Sequence, residues 1–163
     1  MIRDIFRRLN TPHRHRLNRY WLAFIVTLTL AASYWVAWDR TKGNQKRLDR
    51  AVMLMAGGKY EESHMLYESV LKRWPRARIA LVGKGLCELN LGLYQDALES
   101  YGTILAFDPD NLQGLHGKGM SLEKLGKFDE SIQCYQRIRE LKPNMLMAGE
   151  QIERLRLLKD GRE

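Results

Sequence analysis

The sequence predicts an all-α chain: one N-terminal transmembrane helix, then an α-solenoid of three helical hairpins, then a C-terminal capping helix. Three observations carry this. Pro75, Pro109 and Pro143 stand 34 residues apart, and neighbours repeat with them: Gly58, Gly92 and Gly126; Tyr60, Tyr94 and Phe128; Ser63, Ala97 and Ser131; Tyr67, Tyr101 and Tyr135; Val70, Ile104 and Ile138. A fixed period of this size marks stacked units, each burying its apolar face against the next. Residues 20–38 form a run with no formal charge, and residues 146–159 continue a helical pattern past the last repeat.

The elements follow in order. Residues 1–19 are a basic segment in which Ile2, Ile5, Phe6 and Leu9 fall on one helical face beside Arg3, Arg7 and Arg8. Two readings stand for so short a stretch: a helix lying on an anionic surface, or a disordered basic tail. Thr11 and Pro12 have the chemistry of a cap and first helical residue, so the next helix is expected to begin well before Tyr20. As a helix, the nineteen residues Tyr20 to Trp38 would extend about 28 Å, close to the hydrocarbon thickness of a bilayer. Tyr20 and Trp21 mark one end, and Tyr34, Trp35 and Trp38 the other, as the two water interfaces favour. The alternative is a cleaved signal peptide with its core at Leu22–Leu30 and Ala31-Ala32-Ser33 at the processing site. The apolar run continues past that site, which favours an uncleaved signal anchor.

Orientation rests on a near-tie. Six arginines precede the run, and Arg40, Lys42, Lys46, Arg47 and Arg50 follow it. The resulting expectation is a single-pass protein of a bacterial inner membrane, with a cytoplasmic N-terminus and a periplasmic repeat domain. An organellar membrane, or a cytoplasmic repeat domain, is the alternative; the unpaired Cys87 and Cys134 lean toward a reducing compartment.

After a linker at 39–43, the repeats are read as 44–77, 78–111 and 112–145. In each, a helical pattern runs to a glycine, a second begins at the following aromatic, and a proline-containing turn ends the unit. Glycine suits the left-handed residue that closes a helix, and proline blocks continuation of the second one. In residues 146–163, Ile152 and Leu155 share an apolar side and Glu150 stands four residues before Arg154. This reads as a helix capping the open end of the array and carrying an i,i+4 ion pair, followed by a short tail.

The segments LGLYQDALESYGTILAFDPDN (Leu91–Asn111) and LGKFDESIQCYQRIRELKPN (Leu125–Asn144) resemble the second halves of the tetratricopeptide repeat, and GGKYEESHMLYESVLKRWP is a more diverged copy. The large aromatic common early in the family's first helix is replaced by Arg47, Leu81 and Leu115. The resemblance implies a groove lined by the first helix of each hairpin, which binds protein ligands. On that face it places Leu48, Val52 and Met55, then Val82, Leu86 and Leu89, then His116 and Met120. Family members that clamp a C-terminal carboxylate use lysine and asparagine there; most matching places here are apolar, which argues against a chaperone-tail ligand. A helix-in-groove ligand is the alternative to these side chains simply packing between helices.

A second candidate surface is a membrane-proximal basic collar of Arg40, Lys42, Lys46 and Arg47 with Lys72, Arg73, Arg76 and Arg78, set against anionic headgroups. An ordinary solvated turn is the competing reading. The net charge of +8 divides unevenly: residues 1–43 carry eight cations against two acids, and 44–163 nineteen against seventeen. A near-neutral folded region disfavours duplex binding.

Nothing in the sequence proposes catalysis, a cofactor or a metal. Gly83-Lys84-Gly85 and Gly117-Lys118-Gly119 lack phosphate-loop context and read as close contacts between helices. His64 and His116 read as isolated, His13 and His15 lack partner ligands, and Cys87 and Cys134 read as buried or half-buried thiols. The function expected is a membrane-anchored adaptor or scaffold for assembling or stabilising a membrane-associated complex, with protein and lipid bilayer as partners. The alternatives are a permanent small subunit of such a complex and, more remotely, a nucleic-acid or regulatory module.

Overall fold

Gly58, Gly92 and Gly126 adopt φ of 74°, 77° and 76°, the left-handed conformation in which a side chain would strain the backbone. Each closes a helix the same way. The amide of the next residue returns to a carbonyl of the last turn: Lys59 to Leu54 at 2.9 Å, Leu93 to Glu88 at 2.8 Å, Lys127 to Leu122 at 2.9 Å. The 34-residue period of glycine is thus a period of helix stops.

The computed structural model describes the backbone of residues 12–161, with side chains described for 24–35 and from residue 42 to 161. The described helices are α1 (Pro12–Ala56), α2 (Tyr60–Leu71), α3 (Arg78–Asn90), α4 (Tyr94–Phe107), α5 (Leu112–Lys124), α6 (Phe128–Leu141) and α7 (Leu146–Asp160). The expected early helix start is met at Pro12; Thr11 and the face formed by Ile2, Ile5, Phe6 and Leu9 lie outside the described residues, as do the side chains of His13 and His15. The chain divides into two compact units, residues 1–43 and 44–163.

In the first unit the expected transmembrane helix is not upheld. Among the described residues no helix is long and apolar enough to cross a membrane. Within Phe24–Trp35, the hydroxyls of Thr27, Thr29 and Ser33 donate to the carbonyls of Phe24, Val26 and Leu30, so polar side chains interrupt the apolar stretch. The side chains of Tyr20, Trp21 and Trp38, on which the interfacial reading rested, are outside the described set. The inner-membrane placement, its orientation and the signal anchor fall with the span.

In the second unit each helix from α2 to α6 packs on its successor, and α3 also meets α5. Small residues let the hairpins close. Ser63 donates to the carbonyl of Ala51 at 2.8 Å, and Ser131 to that of Gly119 at 2.8 Å. Tyr67, Tyr101 and Tyr135, 34 residues apart, are each about 1% exposed. Their rings lie where glycine leaves room: a Cβ on Gly83 would enter the Tyr67 ring, and one on Gly117 the Tyr101 ring. The two Gly-Lys-Gly segments therefore lie within α3 and α5 as packing surfaces.

The core is a chain of linked clusters. One joins Ala51, Tyr67, Val70, Ala80 and Cys87; a second joins Leu81, Ala97, Tyr101 and Ile104. The third joins Leu115, Phe128, Ile132, Tyr135 and Ile138 to Ala148, Ile152 and Leu155 of α7. Helix α7 thus covers the apolar end of the third hairpin as expected of a cap. The expected Glu150–Arg154 pair does not form. Arg154 instead forks onto Glu123 of α5, at 2.9 and 2.6 Å, a bidentate guanidinium–carboxylate pair.

Candidate functional site

Helices α3 and α5 each begin just after a proline turn, and their faces meet over an apolar groove. Val82 and Leu86 stand four residues apart on α3; His116 and Met120 stand four apart on α5, so each pair shares a helical face. Together they line a cavity of about 350 Å³. Tyr101, Leu112, Gln113, Gly117 and Ile138 complete its walls, with Met145 and Met147 from the last turn and α7. The lining contains no Asp, Glu, Lys or Arg. Burial also holds the His116 imidazole below its ordinary pKa, so it is neutral at pH 7. Its ring meets the Tyr135 ring edge to face, with centroids 5.9 Å apart.

Half of the predicted groove residues meet in this cavity: Val82, Leu86, His116 and Met120. Leu48 and Met55 pack against the first core cluster, and Leu89 against the second. Val52 is 47% exposed and lines no part of it. Sequence reasoning missed Tyr101 and the two methionines of the last turn and α7. The positions of the methionines depend on how the cap packs, which no repeat period encodes.

It also missed a buried polar cluster at the junction of the first two hairpins. Glu88 on α3 is 1% exposed. Its carboxylate accepts from Ser100 Oγ at 2.7 Å, lies 3.0 Å from Lys84 Nζ, and lies 3.1 Å from His64 Nε2 on α2. His64 is therefore not isolated. A signal existed: the 34-residue register sets Glu88 opposite Leu54 and Leu122, a charge where both neighbouring repeats have leucine. The carboxylate, not the imidazole, is central. One carboxylate oxygen holds the Ser100 hydroxyl and the other meets His64 and Lys84, the geometry of a satisfied buried charge.

The basic turn is exposed throughout. Lys72, Arg73, Arg76 and Arg78 face solvent beside Trp74, which is 37% exposed, and an open hollow runs along Arg73–Ala77. Arg78 lies 3.5 Å from Asp108 of the next turn. Of the other predicted collar residues, Lys42, Lys46 and Arg47 are exposed on α1, and the Arg40 side chain lies outside the described set.

Paired antiparallel helices at a 34-residue period, stacked and capped, define a helical-hairpin repeat protein. Models of the tetratricopeptide repeat match residues 48–111 and 113–145, together more than half of the chain. The chain belongs to the tetratricopeptide repeat family. No curated protein matches it by sequence. Among solved structures it is similar to the first TPR domain of human RPAP3, at 18% identity and a TM-score of 0.66, covering 70% of this chain and 90% of that one. It is similar also to the Yersinia enterocolitica type III secretion chaperone SycD, solved with a peptide of the translocator YopD, at 20% identity and a TM-score of 0.66, covering 71% and 93%. A third, the first TPR of Spaghetti (RPAP3) bound to the HSP90 peptide SRMEEVD, has 17% identity and a TM-score of 0.67, covering 71% and 91%. At these identities the likeness is one of fold.

Proposed function

We propose that this chain is a protein-interaction adaptor whose groove between α3 and α5 receives an apolar segment of a partner, in assembling or stabilising a complex. The observation that carries the reading is the cavity of about 350 Å³ with no formally charged side chain in its walls. An apolar anchor loses water there without stranding a charge. Met120, Met145 and Met147 supply soft walls that suit partners of varied shape. Solved proteins of this fold carry peptides, from HSP90 in one case and from the translocator YopD in another, which supports the class of ligand.

The test is Leu86→Glu with Met120→Glu in the full chain. Charge in the groove should abolish co-purification and crosslinking of the native partner while helix content by circular dichroism stays unchanged. Undiminished capture by a folded double variant would sink the reading. A constant one-to-one partner would mark a permanent subunit, and a substoichiometric one an adaptor that acts and leaves.

A further inference from the structure

The groove is uncharged, but one edge of it is not. Aligned on their prolines, the three inter-repeat turns differ in charge. Residues 72–78 hold four cations and no acid, residues 106–112 two acids and no cation, and residues 140–146 one of each. The acids of the second turn are already engaged. Asp108 meets Arg78 at 3.5 Å and accepts from Asn111 at 2.8 Å, and Asp110 accepts from Arg137 at 2.7 Å. In the first turn, Lys72, Arg73 and Arg76 make no ion pair among the described residues.

Along α3 this turn stands one helical turn from the cavity: Arg78 precedes by four residues Val82, which lines it. Arg78 also lies 3.5 Å from Asp108 of the second turn. Leu112, directly after the second turn, and Met145, in the third, both line the cavity. From the other side, α3 runs from Arg78 and Ile79 to Val82 and Leu86 with the same facing, and Ile79 is 68% exposed. Eight residues separate Arg78 from Leu86, about 12 Å along the helix. A segment anchored in the cavity and running toward the start of α3 reaches the basic turn within roughly eight residues if helical, or about four if extended. Any charge it carries must stay outside the apolar walls, and the available charges at this edge are positive.

Resting on the groove reading above, we propose that the partner segment carries a cluster of acidic side chains beside its apolar anchor, and that Lys72, Arg73 and Arg76 receive that cluster. The array then reads its partner in a fixed direction, with the acidic part over the first turn and the apolar part over the second and third hairpins. Complementary rim charges act mainly on encounter and choice of partner, and salt screens them.

The probes are fluorescent peptides sharing one Leu/Met-rich anchor, with three flanking Glu, Gln or Lys residues at one end or the other, titrated against the full chain by anisotropy. The better Glu peptide should bind about tenfold tighter than its Gln counterpart at low salt, three exposed pairs together supplying that much. The gap should shrink in 0.5 M NaCl. Arg73→Glu with Arg76→Glu should reverse the preference toward the Lys peptide, and Leu86→Glu should abolish all binding. Equal binding of the three flanks, or a preference that survives the charge reversal, overturns the acidic-flank proposal and leaves the groove standing. Binding indifferent to Leu86→Glu, or none at all, overturns both. Phosphatidylglycerol vesicles or an oligonucleotide captured through Arg73 and Arg76, with no Glu preference among the peptides, would also overturn it.

Discussion

The hydroxyl of Ser100 on α4 donates to the carboxylate of Glu88 on α3 at 2.7 Å, inside a site where Glu88 is 1% exposed. His64 and Lys84 complete the set from α2 and α3. In the 34-residue register, Glu88 replaces Leu54 and Leu122, His64 replaces Leu98 and Ile132, and Ser100 replaces Leu66 and Cys134. Three polar substitutions thus converge on one junction between hairpins. A buried carboxylate is tolerated when its lone pairs are used, and the three partners use them here.

Removing Glu88 alone should be costly, because Ser100 then has no acceptor and Lys84 no counter-charge. Glu88→Leu is expected to lower unfolding free energy by about 2–4 kcal/mol in urea titrations. Completing the change to the residues of the third repeat (Glu88→Leu, His64→Ile, Ser100→Cys) should recover most of that loss, since an apolar set often matches a buried ionic one. A triple variant no more stable than the single one would show that the junction cannot repack as its neighbours do.

Much of the fold was legible because its signals are local and periodic. Gly58, Gly92 and Gly126 each stop a helix by backbone conformation alone, and each proline ends a hairpin. Four of the eleven residues that line the cavity, Val82, Leu86, His116 and Met120, followed from the same register. Leu48, Met55 and Leu89 pack against the core clusters instead, because their burial depends on which helices stack over them. Met145 and Met147 were illegible for the converse reason: Met147 belongs to the cap and Met145 to the turn that leads into it, so their placement depends on how the cap packs. The membrane span read from the uncharged run Tyr20–Trp38 is not upheld: among the described residues no helix is long and apolar enough to cross a membrane.

Two glycines should respond oppositely to alanine. Gly117→Ala places a methyl against the Tyr101 ring, where the close packing leaves no room, and should cost about 1–3 kcal/mol. Gly102 lies within α4, and a methyl added there would meet nothing within 4 Å, so alanine should add about 0.5–1 kcal/mol through helix propensity. Urea midpoints of the two variants check the contrast. If both moved the same way, the Tyr101 contact would not be limiting.

Both cysteines should be slow to react while the chain is folded. Cys87 is fully buried and Cys134 is 7% exposed, and burial raises the pKa of each thiol, lowering its thiolate fraction. Iodoacetamide at pH 8 should label both only as fast as the structure opens, and quickly in urea. Rapid native labelling of Cys87 would mean that α3 separates readily from α2.

Stability should also depend on the groove imidazole. Burial lowers the pKa of His116 from its ordinary value of 6.5. As pH falls through that range, the unfolded chain takes up the proton first, so this residue makes the folded state progressively less stable. The decline ends once pH lies below the lowered folded value, where both states are protonated. At pH 7 and above the residue adds no such dependence. His116→Phe keeps a ring against Tyr135 and removes the titration. The difference in urea midpoint between the two proteins should therefore move toward the variant from pH 7.5 to 5.5. Protonation of the folded chain would put a charge into the apolar wall, so binding of an apolar peptide should weaken as pH falls through the lowered folded value in the native chain, and less in the variant. Parallel pH profiles for the two proteins would show that His116 is hydrated and not part of an apolar wall.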